Sequence, residues 1–182
     1  MNVYFTASIV GKKKYLENYN IIIDLLKKNG NSVASDHIIN TTEHAINMES
    51  VSAREKFHKK LKRWIMESQC MVVEASFPSI SVGFEISLAL QLNKPVLLLY
   101  TEEAPTLLSG YDNEQLLCER YTFQDVKSIL EDFLSYVKGK GEHRFTFFIP
   151  TYLSHFLEEV SKKKNIPKSV YLRQLIEKAK NK

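Results

Sequence analysis

The feature that most constrains this chain is an alternation. Short, nearly all-apolar runs take turns with longer segments whose apolar residues recur at helical spacing, from residue 3 to residue 137. Val3–Ser8, Ser32–Ile39, Cys70–Ala75 and Pro95–Tyr100 read as strands. Between them, Tyr15–Lys28 places Tyr19, Ile22, Ile23 and Leu26 on one face, and Ala53–Ser68 does the same with Phe57, Leu61, Trp64 and Ile65. Ser81–Leu92 and Phe123–Val137 are further helices. Asn40–Ser52 reads as a polar loop or lid, and Leu107–Arg120 as loop with a short helix. Apolar strands that alternate with helices imply an α/β fold: a flavodoxin- or Rossmann-like parallel sheet with helices on both faces. Ligands of such sheets bind beyond the carboxyl ends of the strands. The segments to watch are therefore Ser8–Gly11, His37, Ser76–Glu85 and the stretch after Tyr100.

The most informative of these is Val73-Glu74-Ala75-Ser76-Phe77-Pro78-Ser79-Ile80-Ser81-Val82-Gly83-Phe84-Glu85, a strand, a tight turn and a helix start. Backbone N–H groups and small hydroxyls at a helix N-terminus can hold an anion such as a phosphate. Gly83 would let a ligand approach the backbone, and Glu85 falls in the first helical turns, facing the crevice.

The Pro-Ser-x-x-Val-Gly-aromatic-Glu core resembles the signature of the nucleoside 2-deoxyribosyltransferase superfamily, with the nearest likeness to the 2-deoxynucleoside 5-phosphate N-hydrolases. Val3–Ile9, Asp36-His37, Trp64-Ile65 and Lys94–Leu97 carry the resemblance across roughly residues 3–136. It implies glycosidic chemistry on nucleosides: a carboxylate attacks the anomeric carbon of a deoxyribose, the base leaves, and water or a second base resolves the intermediate. By position, Glu85 matches the nucleophile and Tyr4 a strand tyrosine near the reacting sugar. Ser8, Gly11, His37 and Ser79 match residues lining the sugar and phosphate pocket, and Ser109 a serine that reaches the neighbouring subunit's site. Each taken singly has a plainer reading: Tyr4 as a core residue, His37 as a surface histidine, Glu85 as a carboxylate favouring the helix dipole.

The chain departs from the family at one catalytic position. The family carries a second carboxylate three residues before the tryptophan-like position, and here that residue is Leu61. No acidic residue occurs between Glu55 and Glu67. General acid–base assistance is typically worth about 10²–10⁴-fold in rate. Weak or absent turnover with binding retained is the expectation, with His58, one helical turn earlier, as a possible replacement acid.

After the break at residues 139–142 the composition changes. The net charge of +4 divides into +7 for residues 138–182, with eleven Lys and Arg against four Asp and Glu, and −3 for the rest. His143–Ile149 alternates at period two like a strand, and helical patterns follow from Pro150 and from Lys168. About 40 residues cannot bury a core alone, whereas two intertwined copies can. This strand-helix-helix module, residues 143–182, resembles the ribbon-helix-helix DNA-binding fold. The resemblance places Arg144, Thr146 and Phe148 at base-facing positions and Lys168 and Ser169 at a DNA phosphate; the aromatic Phe148 departs from the usual polar residue. A basic hairpin used only to dimerise, or one that meets another anionic surface, remains open.

Two readings follow for the whole chain, with residues 1–138 as the first domain. One is a ligand-responsive DNA-binding protein whose N-glycosidase activity is weakened or lost. The other is a working nucleoside or nucleotide N-glycosidase whose tail builds the dimer. Either way the expected partners are a nucleoside or nucleotide and a second copy of the chain (a homodimer or higher even oligomer), with DNA in the first case. No cofactor is called for, and Cys70 and Cys118 lack metal-ligand spacing. No apolar run approaches the roughly 20 residues of a membrane span, and no signal peptide is evident, so the expected compartment is the cytoplasm.

Overall fold

In a computed structural model the described residues are 1–47, 50–105, 108, 111, 113–139, 149–164 and 168–180. The chain divides into two compact units, Met1–Glu142 and His143–Lys182.

The first unit contains β1 (Asn2–Ala7), α1 (Lys12–Lys28), β2 (Ser32–Ala34), α2 (Asp36–Ile39), α3 (Glu43–Asn47), α4 (Val51–Glu67) and β3 (Cys70–Glu74). It continues with α5 (Ile80–Gln91), β4 (Val96–Tyr100), β5 (Leu116–Arg120) and α6 (Val126–Val137). The five strands are all parallel, in the order β2-β1-β3-β4-β5. This is the flavodoxin-like order, with its switch point between β1 and β3. The register sets Tyr4 beside Met71 and Ala7 beside Glu74.

Alternation along the strands builds two apolar layers. Val3, Phe5, Cys70, Val72, Leu97 and Leu99 face α1 and α6, while Tyr4, Met71, Val73, Val96 and Leu98 face α4 and α5. Helices on both faces leave β3 wholly buried and β1 and β4 buried but for Asn2 and Tyr100, which explains their near-continuous apolar sequences.

Three segments differ from the sequence expectations. The second strand ends at Ala34, and His37 lies on the one-turn helix α2. The Ser35 carbonyl accepts from the N–H groups of Ile38 and Ile39, which turns the chain out of the sheet. Lys12 Nζ then closes the far end of that turn by donating to the carbonyls of Ile38 and Ile39 at 2.9 Å and to that of Thr41. The polar stretch 40–52 contains α3, and Ser50 caps α4 by accepting from the Ala53 N–H at 3.2 Å. Finally, Leu116–Arg120 is a fifth strand. As a half-buried edge strand it has neither the continuous apolar run nor the clean alternation that marks a strand in sequence.

The second unit contains α7 (Thr151–Lys164) and α8 (Lys168–Lys180). The strand expected over His143–Ile149 lies outside the described residues, apart from Ile149. Glu158 pairs with both Lys162 and Lys168 at 3.7 Å, and Lys164 lies over the Tyr171 ring at 4.9 Å. Leu157 is buried, but Tyr152, Leu153, Phe156, Leu175 and Ile176 are exposed. No described helix of the chain is long and apolar enough to cross a membrane.

Candidate active site

A cleft of about 590 Å³ opens at the carboxyl ends of β1 and β2, beside the β1/β3 switch point, between α4 and the start of α5. Ser8, His37, Ser79 and Glu85 all line it, as do Leu61 and His58. Residues scattered over 78 positions of sequence thus share one pocket because a parallel sheet brings all its carboxyl ends to one edge.

Glu85 reaches the floor through α5. Val82, Ile86 and Ala89 turn that helix toward the sheet, and Glu85, one turn after Val82, is carried inward with them at 6% exposure. Tyr4 comes from below, out of the middle of β1. Its hydroxyl donates to Glu85 Oε2 at 2.9 Å, and His37 Nε2 stands 2.9 Å from the same hydroxyl. The Tyr4 hydroxyl thus links the Glu85 carboxyl to the His37 imidazole. The imidazole stacks on Tyr4 at 5.1 Å and leans on Trp64 at 5.1 Å.

The electrostatics follow from burial. Burial pushes the Glu85 carboxyl up to about 7, against the opposing pull of the Thr6 and Tyr4 hydroxyls. Burial also drives His37 down to about 4, so it is neutral at physiological pH; Asp36 opposes that shift and Lys60 adds to it. Tyr4 is pushed far above its ordinary value, first by burial and then by the neighbouring Glu85, so it stays a donor. Thr6 Oγ1 is buried beside this chain of groups without a hydrogen bond of good geometry.

The remaining expected residues divide. Ser79 caps α5 by accepting from the Val82 N–H at 3.5 Å, so its hydroxyl is engaged at the helix start expected to receive an anion. Gly83 has open space where a side chain would stand, consistent with close approach of another group. Gly11 has a packing reason of its own. A Cβ there would lie 2.6 Å from Phe77 Cβ and 2.7 Å from the Tyr19 hydroxyl. Ser109, Arg144, Thr146 and Phe148 lie outside the described residues, as does the side chain of Ser169. Lys168 begins α8.

Leu61 is buried at 5% exposure on the cleft wall. Its neighbours on α4 that also line the cleft are Arg54, Phe57 and His58. His58 packs against the Phe84 ring at 5.4 Å. Among the described lining residues the carboxylates are Glu85 and Glu43, and Glu43 pairs with Lys13 at 3.0 Å.

Sequence reasoning missed a second buried carboxylate. Glu74 ends β3 on the opposite face of the sheet from Glu85, with 0% exposure. Its Oε1 accepts from the Ser76 hydroxyl and from Tyr121 at 3.1 Å, and Asn18 donates to Tyr121 at 2.8 Å. Ser76 in turn accepts from Thr101 N–H at 3.0 Å. Four segments are thereby tied behind the turn that precedes Ser79. A charged residue closing an otherwise apolar strand was the available signal.

A buried carboxyl, a tyrosine donor and a helix N-terminus meet beside the switch point of a flavodoxin-like sheet. The chain is 30% identical over 138 residues to a protein of Syntrophotalea carbinolica named as a 2'-deoxynucleoside 5'-phosphate N-hydrolase, covering 74% of this chain and 95% of that one. It is 30% identical over 141 residues to the 5-hydroxymethyl-dUMP N-hydrolase of Tetraodon nigroviridis, covering 74% and 98%. The chain belongs to the 2'-deoxynucleoside 5'-phosphate N-hydrolase family, within the deoxyribosyltransferase-like superfamily. It matches no protein-family profile. The solved structure of a Clostridium botulinum CMP N-glycosidase, BcmB, shares 18% identity over 72% of this chain and 99% of that one, with a TM-score of 0.47.

Proposed function

We propose that the cleft binds a 2'-deoxynucleoside 5'-phosphate or a close relative and turns it over slowly or not at all. On this reading the chain acts as a ligand-responsive regulator, with its C-terminal unit on DNA. One observation carries the proposal. The nucleophile position is intact at Glu85, while the wall that should supply the second carboxylate presents Leu61. A departing base needs a proton, and a leucine has none to give. The Glu85–Tyr4–His37 chain still supplies a floor that can bind and orient a sugar.

The regulatory half rests on the basic charge of residues 138–182 and on the exposed apolar residues of α7 and α8. A hairpin that exposes Phe156 and Ile176 suits burial against a second copy, which gives a homodimer. A working N-glycosidase is the second reading, favoured by the presence of His58 on the cleft wall.

The test is release of free base from deoxynucleoside 5'-monophosphates. The wild type is expected to be slow, and Leu61→Asp to raise the rate by about 10²-fold or more. Rapid release by the wild type that vanishes in Glu85→Ala or His58→Ala would establish the second reading. A gel shift across salt concentrations tests the tail. Affinity should fall steeply with salt and weaken in Arg144→Ala and Lys168→Ala. No shift at low salt removes the regulatory half.

A further inference from the structure

Residues 1–137 carry a net charge of −3, yet one of their helices is strongly basic. Arg54, Lys56, Lys59, Lys60, Lys62 and Arg63 all fall on α4, with no acid between Glu55 and Glu67. All six are exposed. At 100° per residue, Lys56, Lys59, Lys60 and Arg63 share an arc of about 100°, opposite the buried Leu61 and Ile65. Arg63 meets Glu67 at a loose 3.9 Å, and Lys56, Lys59 and Lys62 have no ion pair among the described residues.

The edge of this stripe is aromatic. Lys60 Nζ lies 4.7 Å above the Trp64 ring, and Trp64 meets Phe57 edge-on at 6.3 Å. Phe57 is 36% exposed and also lines the cleft; Phe84, across the cleft mouth, is 50% exposed. Cations in a row beside an exposed Phe57 and a half-buried Trp64 form the kind of arrangement that holds a single strand, with phosphates on the charges and bases on the rings. From Lys56 to Arg63 the helix advances about 10.5 Å.

We propose that the outer face of α4 binds single-stranded nucleic acid, its phosphates along Lys56, Lys59, Lys60 and Arg63 and its bases against the Phe57–Trp64 edge. This surface belongs to the first unit, and binding there does not depend on turnover in the cleft.

The test uses the full chain and a fluorescent single-stranded oligonucleotide of mixed sequence, about 12 nucleotides long, followed by anisotropy over a salt series. The triple variant Lys56→Gln, Lys59→Gln, Lys60→Gln removes three exposed charges of the proposed stripe and leaves the core untouched. It should weaken binding at least about tenfold at low salt and flatten the log–log salt slope by about 2, at roughly 0.7 per lost contact. The same increment should appear when Arg144→Ala and Lys168→Ala are already present. An unchanged affinity and slope overturns the proposal, as does an increment that disappears in that tail-variant background. Association with vesicles of anionic phospholipid but not with the oligonucleotide also overturns it.

Discussion

Burial acts in opposite directions on two adjacent residues of the cleft floor. Glu85 rises to about 7 from an ordinary carboxylate value, so the unfolded chain ionises above about 4.5 while the folded one does not until about 7. That costs stability as pH rises through the window. His37 falls to about 4, so the unfolded chain takes up a proton below about 6.5 that the folded one refuses. That costs stability as pH falls through its own window. Each shift corresponds to about 3 kcal/mol at 1.36 kcal/mol per pH unit. Where the windows overlap, from about pH 4.5 to 6.5, the two trends offset each other in the wild type. Urea unfolding from pH 5 to pH 7 should separate them. Glu85→Gln should gain on the wild type as pH rises, and His37→Asn should gain as pH falls. Differences that run the other way would show that the two groups are not buried as described. Gly11→Ala tests a different constraint at the same scale: contact with Phe77 and Tyr19 should destabilise the fold by about 1–3 kcal/mol in thermal or urea melts.

The elements that matter most are the two helices flanking the cleft. α5 begins at a cap whose bond is long, 3.5 Å, so Ser79→Ala should cost only about 0.5 kcal/mol of stability, the low end for a cap. The same hydroxyl faces the cleft, so nucleotide affinity measured by calorimetry should fall further than that small loss explains. Equal effects on both would make Ser79 a cap and nothing more. α4 presents a core face through Leu61 and Ile65, a cleft face through Arg54, Phe57 and His58, and a charged outer face. Leu61 on the cleft wall and the run of lysines on the far side give the two surfaces of one helix opposite chemistry.

At the scale of the whole molecule, both apolar layers of the sheet are built from residues 1–137. The chain cut after Glu142 should therefore unfold cooperatively with a midpoint close to that of the full protein. The C-terminal unit alone, with its apolar side chains exposed, should melt at a temperature that rises with concentration if a second copy completes it. A concentration-independent melt would mean that it folds as a monomer. Dimerisation of the full chain is checked by sedimentation, which should give twice the 21.1 kDa of one chain.

The sequence by itself was sufficient for the parallel sheet and its helices, because continuous apolar strands and helical periodicity are local patterns. It also marked Glu85, Tyr4, His37 and Ser79 through the family resemblance, Tyr4 within a strand and the other three after one. Three things needed the tertiary structure. The edge strand β5 is half-buried and pairs only with β4, so its own residues do not announce it. His37 acquires its place on α2 from a turn that Lys12, 25 residues earlier, holds closed. The Glu74 network joins α1, β3, β4 and the segment after β5 through side chains up to 103 residues apart. Charge state likewise belongs to the fold. A carboxylate and an imidazole have ordinary proton affinities in any sequence, and it is their removal from water, around one tyrosine hydroxyl, that moves one up and the other down.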